Sequence, residues 1–223
     1  MSGVRSGDEE AAWREVEGGP IRLALNRSNT AVARILDDGG VEGPAAELAT
    51  RLAARLELPT TFLKYENVLV MLAEREAWHG AFLAVDPATS PGLLLTEPYL
   101  SVEATVAVAF QSPIQSFAEL DQPGRTIASV SASAFGRRLA AAVRQAEVED
   151  FPSPGQAWEA LVAGRVDAAA GLRTLLAKQA ADGSLWRVLK GSFAVLGQAI
   201  AINGACPGLF ALAQDAVAGH LNR

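Results

Sequence analysis

Among 223 residues, the side chains able to do chemistry are few, and most stand where apolar runs give way to turn formers. Asp86 follows the run 80–85 and precedes Pro87, so its carboxylate could hold a ligand or close an Asx turn for the next loop. Asn26 and Asn29 follow the run 21–25. Amides donate and accept alike, and of these two Asn26 is read as the ligand contact and Asn29 as a turn former. Glu97 and Tyr99 flank Pro98; Glu97 could pair with Arg173 or hold a cationic ligand and Tyr99 could cover it, unless the tripeptide only fixes the approach to the next strand. Ser131 and Ser133 precede a helical pattern whose first amides would meet an anionic or carbonyl group, a role compatible with N-capping by Ser133. Arg173 follows the run 166–170 and is the basic residue placed with this set, either as a ligand partner or in a surface salt bridge. Such a set recognises a small polar molecule through hydrogen bonds and charge.

Other chemistries lack their signatures. There is no G-x-S-x-G elbow, P-loop or G-x-G-x-x-G, so no catalytic residue and no cofactor is assigned. His79 and His220 are far apart without metal spacing, and each reads as an exposed or half-buried side chain; no metal is expected. The single cysteine, Cys206, excludes an intrachain disulfide. Trp13, Trp78, Trp158 and Trp186 are scattered and read as packing residues. A formal net charge of −6 offers no basic stripe for phosphates, so a nucleic-acid partner is not expected. No apolar stretch reaches the roughly 18 to 20 residues that cross a bilayer. The first nineteen residues are acidic and broken by glycine, unlike a secretory signal. The expected location is therefore cytoplasmic as the sequence is written, and periplasmic if a leader was removed.

The elements that must position these residues alternate. Residues 1–20 read as a flexible leader with a short helix near 11–16. After Pro20 come a strand at 21–25, a helix at 45–56 with Leu48, Leu52 and Leu56 on one face, a strand at 60–65, a helix at 66–77 and a strand at 80–85. A long strand at 102–110 leads to a second series: strands at 126–130, 147–151, 166–170 and 186–189, with helices across 135–146, 155–163 and 174–181. A second long strand at 194–202 and a helix at 208–221 complete the chain. Strands alternating with helices predict parallel sheets covered on both faces, with ligands at the carboxyl ends of the strands. The expected fold class is α/β in two lobes joined by two crossing strands, with 21–103 and 203–223 in lobe 1 and 104–202 in lobe 2.

Several segments resemble the type II periplasmic solute-binding proteins of ABC importers, in the branch that binds polar amino acids. They are residues 25–33 (LNRSNTAVA), 81–88 (AFLAVDPA), 96–100 (TEPYL) with 102–105, 112–124, 166–173 (VDAAAGLR) and 198–200. The resemblance implies a two-lobed clamp that closes on a small molecule, a monomer, and a transporter permease as a possible partner. Two departures are visible. The arginine that grips a ligand carboxylate in this branch has Thr89 near its place, and the acid that pairs with a ligand ammonium is replaced within Gly171-Leu172-Arg173. A standard free amino acid is therefore a poor fit, because both its charges would be desolvated without partners. The same resemblance includes cytoplasmic dehydratase- or lyase-like enzymes acting on small carboxylic acids, which is the alternative function; Asp86 or Glu97 would then be the base.

Overall fold

Short apolar runs separated by Gly, Pro, Asn and Asp become strands and helices in the expected order. The computed structural model describes residues 6–86, 88, 91–181 and 185–222. The chain divides into two compact units, one running to Leu100 and resuming at Gly197, the other spanning Ser101–Leu196. In the first unit α1 (Gly7–Glu15) precedes β1 (Ile21–Asn26), a small antiparallel pair β2 (Arg34–Ile35) and β3 (Val41–Glu42), α2 (Pro44–Leu56), β4 (Thr60–Tyr65), α3 (Val68–Ala73), β5 (Gly80–Ala84) and β6 (Leu93–Leu95). Strand β7 (Leu100–Ala109) leads from the first unit into the second, which continues through α4 (Phe117–Leu120), β8 (Thr126–Ser129), α5 (Ala134–Ala142), β9 (Glu147–Asp150), α6 (Pro154–Val162), β10 (Ala168–Leu172), α7 (Arg173–Ala181) and β11 (Trp186–Val188). Strand β12 (Ala194–Asn203) returns the chain to the first unit, which α8 (Pro207–Leu221) completes.

Strand periodicity explains both cores. In the first unit β1 runs parallel to β4 and β5, while β12 lies antiparallel to β5 and β6. Leu23 and Leu25, Phe82, Ile200 and Ile202 point to the face covered by α1, α2 and α8; the intervening Ala24, Ala81, Leu83 and Ala201 point to the face holding Met71 and Trp78. Alternate residues of one strand thus enter two different cores, which is why these runs are mostly apolar, with Arg22 and Gln198 as interior exceptions. In the second unit β10 pairs antiparallel with β7 and parallel with β8, β9 runs parallel to β8, and β11 antiparallel to β7. Val106, Val108, Ile127, Ala168 and Ala170 pack with Leu139, whereas Ala107, Ala128 and Ala169 pack with Leu161 and Leu176 on the other face.

The structure departs from the sequence expectation at identifiable places. Residues 7–15, expected to belong to a flexible leader, form a helix started by a reciprocal capping box between Ser6 and Glu9. Ala12 and Val16 are buried in the first core, and the Glu15 carboxylate accepts from the backbone N–H of Gly208 and Leu209 at 2.8 Å each. A Cβ on Gly208 would stand 2.6 Å from the Ala12 nitrogen, so the glycine admits α1 against α8. Helix α5 stops at Ala142 instead of reaching 146, because Asp121 accepts from the N–H groups of Arg144, Gln145 and Ala146 and turns the chain there. The strand expected at 166–170 begins two residues later: Asp167 binds Arg125 (2.6 Å) and the Thr126 N–H (3.0 Å), holding 166–167 in a bend before the strand. Helix α3 is shorter than 66–77, capped by Asn67 and followed by a 3-10 turn at Arg75–Ala77. Strands β2, β3 and β6 and helix α4 are too short to announce themselves by periodicity.

Candidate functional site

In the first unit the parallel strands β1 and β5 end at one edge of the sheet, where Leu25 is opposite Phe82. Asn26 closes β1, and its Oδ1 accepts from the Ser28 N–H (3.0 Å) in an Asx turn. Asn29 follows, its N–H bonded to the Asn26 carbonyl (3.0 Å). Its Nδ2 donates to Gln198 Oε1 at 2.9 Å, while its Oδ1 is buried without a partner. Gln198 is 0% exposed and Asn29 8%. Asp86 lies two residues beyond β5 and is 9% exposed, with its Oδ1 accepting from the Ala88 N–H (3.0 Å). Asn26, Asn29 and Asp86 are thus gathered at the carboxyl edge. Two other expected residues are elsewhere. Glu97 is exposed, and its N–H donates to Gln214 Oε1 of α8 (2.8 Å). Tyr99 is 4% exposed inside the core under α8, edge-on to Phe82 (6.0 Å) and His220 (6.5 Å). Burial pushes its phenol far above the ordinary pKa, and its ring packs in the core.

In the second unit β8 and β9 carry the corresponding edge. Ser133 caps α5: its Oγ accepts from the Gly136 N–H (3.0 Å) and donates to the Val130 carbonyl (2.6 Å). Gly136 is required, since a Cβ there would lie 2.0 Å from the Val130 oxygen. The Ser131 N–H donates to Asp150 Oδ1 (2.7 Å), and Arg137 Nη1 donates to the Ala132 carbonyl (2.8 Å). Helix geometry leaves the N–H groups of Ala134 and Phe135 without partners inside the helix. Ser129, the last residue of β8, is wholly buried and its hydroxyl has no partner. Arg173 opens α7 instead of ending a strand. Its guanidinium pairs with Glu103 and donates to the carbonyls of Leu189 (3.2 Å) and Gly191, so it ties α7 to β7 and to the loop after β11.

Among the described residues no cluster of His, Cys, Asp and Glu could hold a metal ion, and no helix is long and apolar enough to cross a membrane. His79, expected to be exposed or half-buried, is 6% exposed. Its Nδ1 accepts from the Arg22 N–H (3.1 Å), and burial, with the Arg22 charge nearby, pulls its pKa down to about 4. His220 is half-buried with Nδ1 3.6 Å from Glu47. Trp78 is buried and donates to the Met71 carbonyl (2.9 Å), and Trp158 meets Trp186 edge-on at 5.9 Å, consistent with packing roles.

No family model and no curated protein matches the chain. Solved structures do. Holo ArgBP from T. maritima aligns with a TM-score of 0.77 at 15% identity, over 92% of each chain. The ancestral amino acid-binding protein AncCDT-1, a precursor of cyclohexadienyl dehydratase, aligns at 0.75 and 17% identity, over 93% of this chain and 92% of its own. The BvgS VFT2 domain of Bordetella pertussis aligns at 0.76 and 19%, over 97% and 94%. The chain has the two-lobed type II periplasmic-binding-protein fold.

In each unit the polar groups at the carboxyl edge of its sheet are candidate ligand contacts, and one in each unit escaped the sequence reading. Gln198 is the polar residue inside the apolar strand β12, and Ser129 the one closing β8. A polar side chain interrupting a buried run was the available signal, because such a group needs a partner or a ligand. Thr89, read as replacing the ligand-gripping arginine, lies outside the described residues. Leu172, where the resemblance puts an acid, is buried as the last residue of β10.

Proposed function

We propose that this chain is a solute-binding protein that takes a small polar molecule and does not serve a standard free amino acid. The observation that carries the reading is the segment 129–135: a buried, unpartnered Ser129 hydroxyl followed by a capped helix whose first amides lack helical partners. Such amides favour a carboxylate, phosphate or carbonyl oxygen. Within the first unit, Asn26 and Asp86 place hydrogen-bonding groups at the carboxyl edge of its own sheet. The exclusion of amino acids rests on Leu172, an apolar residue where an ammonium would need an acid. Delivery to a transporter permease belongs to the same proposal.

The test is a thermal-shift screen of polar metabolites followed by calorimetry. A true ligand at a hundredfold excess over its dissociation constant adds about 2.7 kcal/mol to the folded state, which for a chain of this size raises the melting temperature by roughly 5 to 11 °C. A screen with no hit overturns the solute-binding reading. Micromolar binding of any common amino acid overturns the exclusion alone.

A further inference from the structure

We infer that Asn29 sets the specificity of the solute site, as an acceptor that selects a ligand group bearing N–H donors, with Gln198 orienting it; this rests on the solute-binding reading above. The two residues are 169 positions apart in sequence, and only the return of β12 beside β5 joins them. Because Asn29 Nδ2 is committed to Gln198 Oε1, the planar amide must turn its oxygen away from Gln198. That oxygen is buried and has no partner, on a side chain more than nine-tenths buried. A buried carbonyl oxygen without a donor forfeits the hydrogen bonds it made to water in the unfolded chain. A primary amide, amidine or guanidine would donate to this oxygen. An ester or ether oxygen in the same place would set lone pair against lone pair and leave Asn29 Oδ1 unpaired, which is the way a hydrogen-bonding site rejects an isostere.

The experiment compares succinamate with monomethyl succinate on the wild-type protein by calorimetry. The two share a carboxylate and differ in an amide NH2 against a methoxy group, so contacts to the common end cancel. Succinamate is expected to bind about tenfold more tightly, the size of one buried neutral hydrogen bond. Asn29→Leu should remove that preference, with the unliganded melting temperature as the control for folding. If the variant does not fold, the wild-type comparison decides alone. Equal or tighter binding of the ester overturns the inference, as does a preference that survives in Asn29→Leu. Binding of neither probe, while the metabolite screen gives hits, overturns this inference and leaves solute binding standing; a screen without hits removes both.

Discussion

Glu15→Ala tests whether α1 is a structural part of the first unit. Glu15 presents both carboxylate oxygens to the first turn of α8, 2.8 Å from the nitrogens of Gly208 and Leu209. These N–H groups have no partner within the helix. Losing a side-chain cap costs about 0.5–2 kcal/mol, and losing a negative charge at a helix N-terminus a further 0.3–1 kcal/mol or so. The alanine variant should therefore be about 1–3 kcal/mol less stable, and Glu15→Gln, which keeps one acceptor but not the charge, about half as affected. For a chain of this length the first figure is a fall of roughly 2 to 12 °C in melting temperature. Amide hydrogen exchange adds a local readout, with faster exchange expected at Gly208 and Leu209 before the sheet is affected. An unchanged melting temperature together with unchanged exchange at both amides would refute the docking of α1 on α8.

Three other perturbations follow from the same geometry. Hydrogen bonds from Ala146, Gln145 and Arg144 hold the Asp121 carboxyl below its ordinary value of 3.8, so its contribution is complete above that pH and is lost as pH falls through the lowered pKa; thermal melts should show Asp121→Asn less stable near neutrality, with the gap closing in acid. His79 has its folded pKa drawn down from 6.5 to about 4. The unfolded chain therefore takes up the proton first, and stability should decline as pH drops from about 6.5 to 4, a slope that His79→Asn should lack; an imidazole titrating near 6.5 by NMR would contradict its burial. Arg173→Ala should lower unliganded stability by about 1–2 kcal/mol, mainly through the carbonyls of Leu189 and Gly191, because a half-exposed pair with Glu103 is weak. Stability unchanged with affinity reduced for a ligand found by the screen would return Arg173 to the site.

The sequence by itself determined the succession of elements and the α/β class. Runs such as 21–25 and 80–85, largely apolar, suit buried strands with a core on both faces, and Leu48, Leu52 and Leu56, four residues apart, mark one face of a helix. It also determined the turns that carry Asn26, Asp86 and Ser133, because Asn, Asp and Ser bind neighbouring backbone wherever they fall. Tertiary structure decided whatever depends on residues distant in the chain. Helix α1 looked like a leader because its few apolar side chains carry little periodicity; its order comes from Gly208 and the Glu15 cap nearly two hundred residues later. Tyr99 looked like a ligand cover until α8 closed over it, and Arg173 looked available until Glu103 and the 189–191 loop took its guanidinium. Asn29 read as a turn former, which it is, but the sequence could not reveal its unpaired oxygen, because the amide is oriented by Gln198 across a strand pairing that local propensity does not encode.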